Sequence, residues 1–151
     1  MAEEISLILQ KKNMPYPEML VAPMRAELTN VGFKELKSAE DVENAFANQQ
    51  GMSLVVVNSV CGCAAGAARP GIIRSLTHEK TPAQLYTVFA GQDVDAVAKA
   101  REFMLPYPPS SPSVALFKDG QLVHFVERLN IEGHTAEQVA DQLKQAYDQF
   151  C

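Results

Sequence analysis

Leu54-Val55-Val56-Val57 is an unbroken apolar run inside the segment Ser53 to Asn58, and such a run suits a strand covered on both faces. Around it the pattern alternates between helical and strand periods. Met24, Leu28 and Val31 fall at helical spacing, and Gly32 stands where a C-terminal cap belongs. Pro15, Pro17 and Pro23 predict that any earlier helix is short or bent. Phe33 to Leu36 reads as a short strand. Ser38-Ala39-Glu40-Asp41 then opens a helix whose apolar face is Val42, Ala45 and Phe46, with Gly51 beyond its end.

After the apolar run, Cys63 to Leu76 predicts a helix, kinked at Pro70-Gly71. Gln84 to Ala90 is the next strand, and Gly91 to Asp93 the turn after it. Val94, Val97, Ala98, Met104 and Leu105 mark a further helix. A proline-rich loop, Pro106 to Pro112, leads into Val114 to Lys118, Asp119-Gly120 predicts a hairpin, and Leu122 to Val126 returns. Thr135 and Gln138 form a capping box for a last helix carrying Val139, Leu143, Tyr147 and Phe150 on one face. The predicted order is a helix followed by βαβαβαββα. That order requires parallel pairing with right-handed crossovers, closed by an antiparallel hairpin, so the sheet is mixed and helices flank it.

A chain of 151 residues with this pattern is expected to form one domain, 1–151, with residues 1–31 as an N-terminal helical extension. The net charge of -5 and the lack of a basic run argue against nucleic acid or an anionic membrane as partner. The N-terminus, Met1-Ala2-Glu3-Glu4, is acidic where a secretory leader would be basic, and no apolar run reaches membrane-spanning length. These features place the chain in the cytoplasm. The 3 cysteines are too few and too uneven for a secreted disulfide scaffold. In a reducing compartment, a close pair points to catalysis or metal binding.

That pair is Cys61-Gly62-Cys63, in the turn between the buried strand and a helix. Unpaired backbone N–H groups and the positive end of the helix dipole favour a thiolate there, and the thiolate is the species that attacks a disulfide. Gly62 is expected to supply backbone freedom that lets the sulfurs meet. A Cys-x-Cys disulfide closes a tighter ring than Cys-x-x-Cys, which suits exchange better than stapling. The second signal is Ser111-Pro112-Ser113 at the start of a strand that enters a hairpin. Thioredoxin-like folds keep a cis proline at this place, beside the helix that carries the cysteines. The Ser111–Pro112 bond is therefore expected to be cis, with its loop positioned to receive a substrate strand.

Asn58-Ser59-Val60-Cys61-Gly62-Cys63-Ala64-Ala65-Gly66, Ala68-Arg69-Pro70, Phe89-Ala90-Gly91-Gln92-Asp93, Ser110-Ser111-Pro112-Ser113 and Glu132-Gly133-His134 together resemble the bacilliredoxin family. The likeness runs from about Pro23 to Cys151. It implies a thioredoxin-like fold and removal of the small thiol bacillithiol from S-thiolated client proteins, with disulfide isomerase activity also ascribed to members. It further implies Cys61 as nucleophile, Cys63 as resolving thiol, and no cofactor beyond bacillithiol as thiol substrate. Gly62, Ser111 and Pro112 are then expected at the substrate. The chain departs from ordinary thioredoxins in having no Trp before its first cysteine, and in having Val55 where they often bury an acid.

Other readings stay open at this level. The pair could hold a soft metal such as copper or zinc, although there is no second cysteine pair and no nearby histidine. General disulfide isomerisation is the alternative within redox chemistry. Cys151 is either an exposed terminal thiol or a third redox cysteine. His78, His124 and His134 are scattered, His134 suiting a backbone contact and His124 a partly covered strand face. Arg69 reads as a solvated arginine, with recognition of a carboxylate-bearing thiol as the other option. Asn58 and Ser59 are expected to shape the turn, and Tyr107 either flanks the site or packs in its loop.

Overall fold

The computed structural model describes residues 15–151. The segment 1–14, which includes the acidic N-terminus and part of the expected helical extension, lies outside the described residues. The elements are α1 (Glu18–Thr29), β1 (Lys34–Glu35), α2 (Ala39–Ala47), β2 (Met52–Asn58), a π-helical turn (Ala64–Ala68), α3 (Arg69–Ser75), β3 (Gln84–Phe89), α4 (Val94–Glu102), β4 (Ser113–Lys118), β5 (Gln121–Val126), a short 3-10 turn (Arg128–Asn130) and α5 (Ala136–Phe150).

The strands form one sheet in the order β1-β3-β2-β4-β5. β1 and β2 pair parallel with β3, while β4 runs antiparallel to both β2 and β5. The apolar run therefore lies in the middle strand. Its alternate residues serve two cores, as the period of a strand dictates. Leu54 and Val56 pack with Leu28, Ile72, Val139, Leu143 and Tyr147, under α1, α3 and α5. Val55 and Val57 pack with Leu36, Val42, Val97, Ala100 and Phe117, under α2 and α4. Val55 is fully buried among apolar neighbours, so an acid there would lack compensation.

Three predicted elements differ in detail. Helix α1 begins earlier than expected and runs through Pro23. Burial of Val21, Arg25 and Leu28, and the bonds of Arg25 to Glu18 (2.8 Å) and Asp93 (2.7 Å), outweigh the one hydrogen bond that proline forfeits. Helix α4 ends at Glu102 and buries Ala96, Val97 and Ala100, while Val94 and Leu105 face solvent. The irregularity expected at Pro70-Gly71 lies instead just before it. The Arg69 N–H reaches the carbonyl of Ala64 in π register, and Pro70 then sits at the start of α3, where its missing donor costs little. No helix among the described residues is long and apolar enough to cross a membrane.

The turns behave as their residues predict. Asp119 and Gly120 both have positive φ (49° and 81°), and the Thr135–Gln138 capping box closes in both directions. Gly71 has a further task. A Cβ on it would stand 2.7 Å from Val139 Cβ and 2.8 Å from the Ala136 carbonyl oxygen, so its hydrogen lets α3 lie directly on α5. Gly71→Ala is expected to lower stability by roughly 1–3 kcal/mol, as overpacking does. An unchanged midpoint in a urea titration would show that the helix pair gives way freely.

Candidate active site

Central strand β2 ends at Asn58, which is buried together with Ser59, and the chain then turns into the helix through Cys61-Gly62-Cys63. What fixes this turn is a buried polar network. Asn58 donates from Nδ2 to the carbonyl of Met24 (3.2 Å), and its Oδ1 accepts from the Ser59 N–H (2.9 Å) and from Arg69 Nη1 (3.0 Å). Arg69 Nη1 also donates to the Ser59 carbonyl (2.8 Å), and Nε to Glu27 (2.7 Å). The side chain of Arg69 is only 2% exposed, which overturns its reading as a solvated arginine. It ties α1, the end of β2 and the helix after the cysteines into one unit, and it is not free to greet a substrate. Asn58 and Ser59 shape the turn as expected.

Within the turn, Ser59 Oγ accepts from the Cys61 N–H (3.2 Å), and the Ala64 and Ala65 N–H groups return to the Cys61 carbonyl (3.1 and 3.2 Å). The two sulfurs lie 2.7 Å apart, as a pair of free thiols. Gly62 has no positive φ, and a Cβ there meets nothing within 4 Å. The backbone freedom expected of it is therefore not used in this dithiol form.

The two thiols are electrostatically unequal. Burial opposes ionisation of Cys61, but hydrogen bonds from Cys63, Ser59 and the Ala64 N–H, aided by the charge of Arg128, outweigh it and hold its pKa below the ordinary thiol value. Burial pushes Cys63 the other way, and its hydrogen bond to Cys61 and the negative charge of Cys61 push it further. Cys61 is thus the more readily ionised of the two sulfurs, with Cys63 as its favoured proton-bearing partner.

The proline loop forms the other wall. The Ser111–Pro112 bond is cis, as is Leu105–Pro106. β4 starts at once after Pro112, and the pairing of Ser113 with Val57 sets the loop at the end of β2 from which the cysteine turn departs. Arg128 joins this wall, and the sequence offered no reason to single it out. Its N–H donates to Ser110 Oγ (2.7 Å) and its Nη1 to the Ser111 carbonyl (3.2 Å). Continuing the register of Val114 with Val126 places Arg128 opposite Pro112.

The remaining candidates lie elsewhere. Tyr107 stacks on Phe125 with ring centroids 4.6 Å apart. His134 Nδ1 is 3.2 Å from the Glu132 carbonyl, a local contact, and His78 meets Asp148 at 2.7 Å. His124 is half-buried on β5, and burial lowers its pKa. Cys151 is exposed beyond the end of α5, one turn past Tyr147. Tyr147 meets Ser75 (2.9 Å) at the C-terminal end of α3, whereas the cysteine turn lies before its N-terminus, so the fold keeps Cys151 apart from the pair. A soft metal at the pair would need further ligands. Among the described residues, no three His, Cys, Asp or Glu side chains gather as a metal site.

Solved structures with this fold include mitochondrial thioredoxin 3 from Saccharomyces cerevisiae, 15% identical, with a TM-score of 0.51 and 78% of this chain and 94% of that one covered. Schistosoma mansoni thioredoxin is similar at 16% identity and a TM-score of 0.52, covering 78% and 96%. The architecture is thus thioredoxin-like. A family model described as Disulphide isomerase matches residues 16–151. Fold and family together make the chain a thiol–disulfide oxidoreductase.

Its relatives narrow the class. A bacilliredoxin from Cytophaga hutchinsonii is 63% identical over 135 residues, covering 89% of this chain and 99% of that protein. One from Halalkalibacterium halodurans is 54% identical over 136 residues, covering 90% and 94%. The chain belongs to the bacilliredoxin family.

The inequality of the sulfurs has a direct consequence for labelling. Between about pH 6 and 8, below the pKa of a free cysteine, Cys61 is expected to react with iodoacetamide well before Cys63. Its rate should fall as the pH drops through its lowered pKa. Peptide mass analysis of a quenched time course reads both sites, and faster labelling of Cys63 would reverse the ordering.

Proposed function

We propose that this protein removes bacillithiol from S-thiolated client proteins, with Cys61 as nucleophile and Cys63 as resolving thiol. The observation that supports it most is the opposed electrostatics of two thiols in contact, one favoured as thiolate and the other as proton-bearing partner. Cys61 thiolate attacks the bacillithiol sulfur of the mixed disulfide. A Cys61–bacillithiol disulfide forms, the client sulfur–sulfur bond breaks, and the client leaves as a thiolate that takes up a proton. Cys63 then loses its proton and attacks Cys61 Sγ, which releases bacillithiol and leaves a Cys61–Cys63 disulfide. Alternatively, a second free small thiol resolves the adduct. A dithiol reductant restores the pair. The protein needs no bound cofactor for these steps, and they suit a reducing compartment such as the cytoplasm.

The cis proline loop supports the same reading, because it lies at the end of β2 beside the cysteines and offers backbone next to Ser111 and Pro112 for an incoming chain. A second reading, general disulfide isomerisation, is favoured by the description of the matching family model. It uses the same nucleophile on a different client bond.

The first step needs only Cys61. Cys63→Ser is therefore expected to strip a bacillithiolated client and to accumulate protein bearing the small thiol on Cys61, in the absence of added free thiol. Cys61→Ser should do neither. Intact mass of both variants after incubation with the client reads this directly. Uptake by Cys61→Ser but not by Cys63→Ser would reverse the roles. If wild type gains no such mass yet rearranges scrambled disulfides, isomerisation replaces de-thiolation.

A further inference from the structure

Arg69 cannot serve as a receptor for an anionic substrate, because its guanidinium is buried and engaged by Glu27, Asn58 and Ser59. Arg128 is half-exposed and only partly engaged. Its side chain is 43% exposed, and its backbone and Nη1 are bonded to Ser110 and Ser111, so the guanidinium stands beside the carbonyl that precedes the cis proline. Its acidic partner is Glu132, itself 63% exposed, at a single contact of 3.3 Å through Nε. Nη2 makes no hydrogen bond among the described residues. Nη1 is tied to the Ser111 carbonyl, and the Nε–Nη2 edge is shared only with Glu132, so a carboxylate that displaces Glu132 can take that edge as a fork. Exchangeable contact with an exposed glutamate is weak and easily surrendered.

The geometry assigns to Arg128 a carboxylate subsite: its Nε–Nη2 edge, once Glu132 gives way, receives an acidic group of the small thiol whose sulfur is attacked by Cys61. This deepens the de-thiolation reading and rests on it for Cys61 as the point of attack. The chemistry favours such a subsite. A thiolate approaching an anionic disulfide meets repulsion, and a cation beside the proline loop offsets it where the two sulfurs join. The field of Arg128 on both cysteines agrees with its standing at this position.

The test separates recognition of the electrophile from activation of the nucleophile. Reaction rates of Cys61 are measured in a Cys151→Ser background with 5,5′-dithiobis(2-nitrobenzoate), which is dianionic, and with neutral 2,2′-dithiodipyridine. Each rate is taken on the high-pH plateau, where the thiolate population cancels. Arg128→Gln is expected to slow the dianionic probe about tenfold and the neutral one less than about threefold, with Arg128→Lys keeping most of the preference. Equal slowing of both probes, or no slowing of either, overturns the subsite. A second arm uses one client protein carrying either glutathione or cysteamine. Selective loss of glutathione release in Arg128→Gln assigns the carboxylate to the small thiol, whereas equal loss with both adducts assigns it to the client and overturns the proposal. Failure of Cys61 to react with either probe in wild type would instead sink the reading of Cys61 as nucleophile.

Discussion

One buried guanidinium fixes where the sulfurs stand. Arg69 spans from Glu27 on α1 to Asn58 and Ser59 at the end of β2 and is itself the first residue of α3. Burying such a group is costly unless its donors are met, and here Asn58 and the Ser59 carbonyl meet Nη1 while a carboxylate meets Nε. The result is that the strand, the turn and the helix cannot move independently. Ser59 is held from both its N–H and its carbonyl, which leaves its hydroxyl aimed at Cys61. The sheet supplies the platform, and the network converts that platform into a fixed position for one sulfur.

From that position the division between the thiols follows. Cys61 lies at the helix entrance, favoured as thiolate by hydrogen bonds from Ser59, Ala64 and Cys63, whereas Cys63, two residues on, is favoured as the protonated partner. The opposite wall comes from a different part of the chain, the cis proline loop with Arg128 latched to it. Two walls thus meet where β2 ends and β4 begins. The family's chemistry needs an accessible sulfur held still, and both walls contribute to that.

Much of this was legible in the sequence where the signal is local. The Leu54–Val57 run, Asp119-Gly120 and the Thr135 cap each carry their own explanation, and each stands where expected. The burial of Arg69 is not legible in the sequence, because its face depends on a π turn, and one extra residue in a helix rotates everything after it by about 100°. Helix α1 is longer than Pro23 alone implies, because Arg25 is held by Asp93, a partner distant in sequence. Arg128 left no periodic trace. Counting back from the hairpin would have found it only with the irregularity between Leu116 and Phe117, since an unbroken ladder sets Glu127 opposite Pro112.

The central claim is that hydrogen bonds of the network-held turn, against the opposing effect of burial, keep Cys61 as the more acidic thiol. Thiolate absorbance at 240 nm, titrated in wild type, Ser59→Ala and Arg69→Lys, tests it most directly. Cys61 in wild type should ionise below the value of a free cysteine, about 8.5, and losing the Ser59 hydroxyl should raise its midpoint. Arg69→Lys should raise it as well, by loosening Ser59. A wild-type Cys61 that ionises at or above the free value, or a midpoint that Ser59→Ala leaves unmoved, would contradict the account.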